Sequence, residues 1–318
     1  MAQRSNLGVD RILSRYTRLL ANQPSSWIAD SCLATSTVNS RSGKYYNLDG
    51  GFGYSSPGYG LLRTSGADFR RITPDPTQVT AYEIKEYGLE GTVDDVDAEF
   101  AGADALDLRE AATHQTWARA MVEREKNFAA LLFSTTTFSG YTAALSSAEW
   151  NVAAGDPMAN MDTAEASIRQ NTGVPLSECS MILGAEPWRA LRRSSKLTDF
   201  YQYTVAGSTA LSEEQVAAAL GLKKIIVGRS VENTANPGAT ESKADIWGNF
   251  ALVAHIEDNP KPFVSHGIGA NFSLAGHQAG KVERYREEPR TEVVLVSWAE
   301  SPIVTTASAG YLFSAVTS

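Results

Sequence analysis

The run from Asp107 to Phe133, DLREAATHQTWARAMVEREKNFAALLF, contains neither glycine nor proline. Nothing in it breaks a helix, so it predicts one continuous rod of about 40 Å at 1.5 Å per residue. The mean helix in a globular domain has only about 11–12 residues, so this one must cross more than one part of the fold. Leu108, Ala111, Ala118, Met121, Val122, Ala129 and Leu132 recur at helical spacing, with Phe128 beside them. That spacing predicts a packed face carrying Leu108, Met121, Val122 and Leu132. Arg109, Arg119, Glu123, Arg124 and Lys126 fall on the other faces. The polar middle, Thr113 to Thr116, includes His114, which reads as solvent-facing or hydrogen-bonded rather than catalytic. A rod with more than one charged face suits a scaffold that touches several neighbours.

The residues before the rod, TVDDVDAEF, crowd Asp94, Asp95, Asp97 and Glu99 together. A calcium loop counted from Asp95 would need Gly and Glu where Phe100 and Leu106 stand, and no His or Cys is near enough to complete a zinc set. Carboxylates at a strand-to-helix junction instead predict helix capping. Upstream, residues 44–78 are dense in Gly, Pro and Tyr and have no helical period. They predict an extended two-stranded arm with strands around 59–72 and 77–93. Tyr82 and Ile84 differ in parity from Tyr87 and Leu89, which places a bulge or bend near Glu86. Residues 7–20 read as a basic amphipathic helix.

Downstream, Asp156 and Pro157 predict the start of a helix that ends on Gly173. SMILGAEPWRALRR predicts a buried strand, a turn and a helix from Pro187. Ser212 with Gln215 predicts a capped helix. KKIIVGRSV, DIWGNFALVAHI and TEVVLVSWAESPIVT predict further strands. Composition, 43% hydrophobic and 20% charged, is that of a globular protein of one large or two moderate domains. A net charge of −8 argues against a dedicated nucleic-acid binder. No apolar run approaches the ~18 residues of a membrane span. Cys32 and Cys179 form no disulfide framework, which fits a reducing cytosol. No catalytic motif is present, and the four histidines have no ligand spacing. Cys179 reads as a buried inert thiol, and His266 sits in a Gly-rich stretch without an evident partner.

In order, WIADSCLATSTVNSRSGKYYNL, YGLEGTVDD, the long helix, Trp150 with DPMANMDTAEASI, MILGAEPWRAL, AAALGLKKIIVGRS and DIWGNFALVAHI carry a resemblance. Across roughly residues 27–310 the chain resembles major capsid proteins of tailed bacteriophages, with the α+β Hong Kong 97-type fold. The resemblance implies an N-terminal arm and lead-in segment over 1–39 and an E-loop over 40–92. It implies a P-domain over 93–175 and 275–318, whose spine helix is 107–133, and an A-domain over 176–274. The implied function is self-assembly into an icosahedral shell of hexamers and pentamers around double-stranded DNA, held without sequence specificity. The chain would then be part of the virion, assembled in the host cytoplasm, with no catalytic, cofactor-binding or metal-binding residues and no membrane. Its implied partners are further copies of itself, a portal protein and, because only a short segment precedes Trp27, a separate scaffolding protein. The implied inter-subunit contacts are Arg63, Phe69, Arg70 and Arg71 of the E-loop with Glu123, Glu125 and the acidic run at 94–99. Two other readings are an encapsulin-like compartment enclosing cargo enzymes and a soluble hydrolase using Cys179 or His266. Some relatives join an E-loop lysine to a neighbour's asparagine, but no lysine lies between Tyr45 and Ile84. The resemblance therefore implies a shell without isopeptide bonds.

Overall fold

A computed structural model describes residues 8–9, 27–46, 62–63, 65, 68–69, 79–101, 105–202, 211–235, 240–258, 267–277, 281–287 and 290–318. The strands, in chain order, begin with β1 (Gly8–Val9), β2 (Ala34–Val38), β3 (Ser42–Tyr46), β4 (Val79–Glu83), β5 (Lys85–Asp94) and β6 (Thr142–Ala144). There follow β7 (Cys179–Gly184), β8 (Lys224–Gly228), β9 (Val231–Asn233), β10 (Lys243–Asp245) and β11 (Phe250–His255). The last four are β12 (Gly269–Leu274), β13 (Lys281–Glu287), β14 (Thr291–Val304) and β15 (Gly310–Ser314).

Two sheets dominate. The first is organised around β14, which pairs with β5 along one edge and with β13 and then β12 along the other. β2 extends it by lying parallel to β12. The second has the order β6-β15-β11-β7-β8, antiparallel at its centre and parallel at both ends. Its apolar runs sort by the two-residue period of a strand. Met181, Leu183, Ile225, Val227, Ala251 and Val253 face one core, while Ile182, Ile226, Leu252 and Ala254 face another. Both faces are therefore covered, which is why these strands read as continuous hydrophobic runs instead of alternating ones.

The long helix spans Ala105–Leu132 and joins the two sheets. In its middle, Trp117, Ala120 and Met121 pack on Val282, Val294, Val296 and Trp298 of the first sheet. Toward its end, Phe128, Ala129 and Leu132 pack on the second. Its polar middle is not solvated throughout. Thr113 and Thr116 are buried, and their hydroxyls donate to the carbonyls of Arg109 and Ala112, while His114 is exposed. Gly91 of β5 lies against Thr116, where a Cβ would come within 2.1 Å of the threonine oxygen. Helix and strand can approach this closely because position 91 has no side chain.

Several local expectations hold. Asp156 caps the helix Pro157–Thr172 by accepting from the N–H groups of Met158 and Ala159, and Gly173 closes it at φ +75°. Ser212 and Gln215 form a reciprocal capping box. The acidic run caps the helix Asp95–Ala101: Asp94 accepts from the Val96 N–H, and Asp95 pairs with Arg286. Others are corrected. Gly8 and Val9 are extended and pair with Arg284 and Glu283, where a helix was expected, and the remainder of 7–20 lies outside the described residues. β4 pairs with β3, and most of 59–72 lies outside the described residues. The break between β4 and β5 falls at Ile84, two residues before the predicted bulge. The helix expected from Pro187 starts at Ala185. The helix Ser195–Gln202 has no counterpart in the sequence reading.

Candidate functional site

Arg124 and Glu125 are successive residues of the long helix and are 4% and 1% exposed. The expected outer position of Arg124 and the inter-subunit role of Glu125 are both corrected by this burial. Arg124 Nε donates to Glu300 Oε1 at 2.8 Å, and its Nη2 donates to Glu300 Oε2 at 3.0 Å and to Asp30 Oδ1 at 2.6 Å. Glu300 also accepts from Asn271 Nδ2 at 2.8 Å and Trp298 Nε1 at 3.0 Å. The guanidinium lies 5.2 Å from the ring centre of Phe128. Burial disfavours the Arg124 charge, but the bonds to Asp30 and Glu300 outweigh it and raise its pKa above the ordinary arginine value. Arg124 thereby ties the helix to β14 and the short helix Ala29–Cys32, and Glu300 carries the network on to Asn271 of β12.

Glu125 points to different partners. Its Oε1 accepts from the backbone N–H groups of Ile28 and Ala29, each at 2.7 Å, where that short helix begins. Its Oε2 accepts from the Trp247 indole at 2.5 Å and the Ser230 hydroxyl at 3.4 Å. Burial raises the Glu125 pKa, and these donors together with Arg124 oppose the rise. The adjacent pair therefore clamps the segment at Trp27–Leu33 to the helix and to both sheets.

The arm is anchored at its base. Tyr82 of β4 stacks on Phe272 of β12 with ring centres 4.4 Å apart, and Tyr45 and Ile84 join the same cluster. Leu62 is 95% and Phe69 72% exposed, and the Arg63 guanidinium lies 4.8 Å from the Phe69 ring centre. Arg70, Arg71 and His266 lie outside the described residues. Glu123 is exposed. On the long helix, Met121 (6% exposed) and Leu132 are buried and Val122 is half-buried. Leu108 is 37% exposed, which corrects its place on the packed face. Cys179 is fully buried, and burial, followed by Glu178 and Glu165, pushes its thiol up to about 12. Burial thus disfavours the thiolate that the hydrolase reading would need as its nucleophile.

No signal in the sequence pointed to the Arg124–Glu300–Asp30 cluster. Its members are 176 and 94 positions apart.

No family model matches the chain, and no curated protein matches it. Solved structures do. The chain is similar to a phage-related protein from Bordetella bronchiseptica RB50, with 22% identity over 98% of each chain and a TM-score of 0.72. It is similar to the subunit of the bacteriophage PhiM1 mature capsid, with 13% identity over 99% of this chain and 91% of that one, at a TM-score of 0.54. A virus-like particle from Pyrococcus furiosus matches 95% of this chain with 96% of its own, at 10% identity and a TM-score of 0.52. Likeness that runs the length of the chain, through both sheets and the helix that joins them, gives this protein the Hong Kong 97-type fold of tailed-phage capsid subunits.

Proposed function

We propose that the chain is a major capsid protein that self-assembles into an icosahedral shell of hexamers and pentamers enclosing double-stranded DNA. The full-length fold likeness to a phage capsid subunit carries this reading. Residues 40–92 act as an E-loop laid across a neighbour, an arm whose Leu62 and Phe69 are exposed in the single chain. Residues 93–175 with 275–318 form the P-domain, and 176–274 the A-domain. Heterologous contacts repeated by the right rotation close into rings. The net charge of −8 suits a container, because a strongly basic wall would hold its DNA tightly. In this reading the partners are further copies, a portal protein and a separate scaffolding protein, and the location is the virion, assembled in the host cytoplasm. Arg63, Arg70 and Arg71 pair with exposed carboxylates of the adjacent subunit, Glu123 and the run at 94–99.

Electron microscopy of the purified protein, with nuclease-protected DNA measured in the same fractions, tests the proposal. Shells that protect DNA are expected when the packaging machinery is present. Shells that enclose a protein cargo and no DNA would favour the encapsulin-like reading. A small oligomer under all conditions would overturn the shell.

A further inference from the structure

Residues 27–33 touch both sheets and belong to neither. Their helix, Ala29–Cys32, is a single turn, and Ile28 at its N-cap makes no side-chain cap. A segment this short does not hold a helix by itself. Distant groups hold it instead. Glu125 Oε1 accepts from the Ile28 and Ala29 N–H groups, 97 and 96 positions away, and Arg124 Nη2 donates to Asp30. Trp27 meets Trp117 edge-on, with ring centres 6.3 Å apart. Ile28, Ala29, Cys32 and Leu33 share a core with Phe128 and Trp247, while Asp30 and Ser31 face solvent. The surface under the segment is of two kinds. Its apolar part resists opening. Its charged part, Arg124 and Glu125, favours opening, because ions regain hydration when their cover lifts. Neither sheet would lose a strand if the segment left, since β2 begins only at Ala34.

We propose that residues 27–33 form a strap that opens as a unit ahead of global unfolding, with Glu125 as its latch. Glu125 holds the strap with one oxygen and, with the other, the second sheet's Trp247 and Ser230. Strap and sheet are therefore joined at one carboxylate. In the shell reading, on which this use of the strap rests, the arm that reaches other copies joins the body here, and lifting it disturbs no strand. The opening itself does not depend on that reading. The chain carries its own two reporters. Cys32 lies in the strap and Cys179 in β7, between β8 and β11, and both are 0% exposed. Burial, and after it Glu125, pushes the Cys32 thiol well up, and burial likewise raises that of Cys179. Both react slowly until uncovered. Cys32 needs only the strap to lift, whereas Cys179 needs the sheet to come apart.

The test is iodoacetamide labelling of unassembled full-length subunits at pH 8. Each cysteine is read by peptide mass spectrometry, and each rate is divided by its rate in the unfolded chain. Cys32 should react on the order of tenfold faster than Cys179 or more, because local opening costs less than global opening. Its rate should also rise less steeply with guanidinium, because lifting a strap exposes less surface than unfolding. Val253→Ala weakens the core on the far face of the second sheet, which stays packed when the strap lifts. It should therefore speed Cys179 and leave Cys32 unchanged. Glu125→Gln turns an amide N–H2 toward donors that cannot accept from it and should speed Cys32 by on the order of tenfold. If that variant does not fold, Asp30→Ala, which removes only the strap's bond to Arg124, should speed Cys32 to a smaller extent. Equal normalised rates for the two cysteines, or a Cys32 rate that follows Cys179 in Val253→Ala, would overturn the strap. A Cys32 rate untouched by both Glu125→Gln and Asp30→Ala would overturn the latch. The assay needs no shells, so its failure is distinct from failure of the shell reading.

Discussion

Replacing Arg124 by methionine keeps most of the side-chain length and removes the charge. Glu300, itself 5% exposed, would then keep only two neutral donors, from Asn271 and Trp298. Removing one partner of a buried ion pair costs about 3–5 kcal/mol, because the other charge stays desolvated. The surviving donors on Glu300 place the cost near the lower end, about 3 kcal/mol. The Asp30 side chain is 73% exposed and returns to water, so its share is below about 1 kcal/mol. Guanidinium unfolding of unassembled subunits should show this loss, followed by tryptophan fluorescence and circular dichroism. At an unfolding entropy of about 2.1 cal/mol/K per residue, a chain of 318 residues shifts by roughly 1.5 °C per kcal/mol, so the melting temperature should drop by about 4–5 °C. The decisive comparison is Arg124→Met with Glu300→Gln. Glutamine can still accept from Trp298 and leaves no bare charge, so the double variant should be more stable than Arg124→Met alone. If the two substitutions simply add, or if Arg124→Met costs under about 1 kcal/mol, the clamp is not held by this pair.

Met121→Asp would bury an unpaired carboxylate against Trp117, Val294 and Val296, and insoluble protein is expected at a cost of several kcal/mol, with solubility in fractionated lysate as the measurement. Arg70→Glu with Arg71→Glu should leave a folded subunit that fails to assemble, and unchanged shells by electron microscopy would remove these arginines from the interface. Particles boiled in detergent and reductant should run as one band near 34.2 kDa, because Lys44 and Lys85 are held in β3 and β5 at the base of the arm; a ladder would refute this. With its thiol pushed up to about 12, Cys179 should resist iodoacetamide at pH 8 in the folded subunit and react once unfolded. Equal rates in the two states would contradict its burial.

Local chemistry made much of the fold legible. The helix across 105–132, the cap at Asp156, the left-handed Gly173 and the Ser212 box each depend on residues within a few positions of one another. Such features need no knowledge of where the rest of the chain lies. The acidic run at 94–99 belongs to the same class, since its capping bond spans two residues. Tertiary structure decided what periodicity could not. Arg124 and Glu125 look like two more charges on a solvated face, and partners brought from Asp30, Glu300, Trp247 and the backbone at Ile28 and Ala29 make their burial tolerable. Leu108 keeps the helical spacing of the packed face, yet it is 37% exposed. β4 pairs with residues 42–46, more than 30 positions earlier, and this brings Tyr45 and Tyr82 together on Phe272. Helical period, caps and left-handed glycines were set by the sequence alone, because their energies are local. Strand partners and buried charges were settled only by the folded chain, because their energies depend on groups that meet after distant segments have packed.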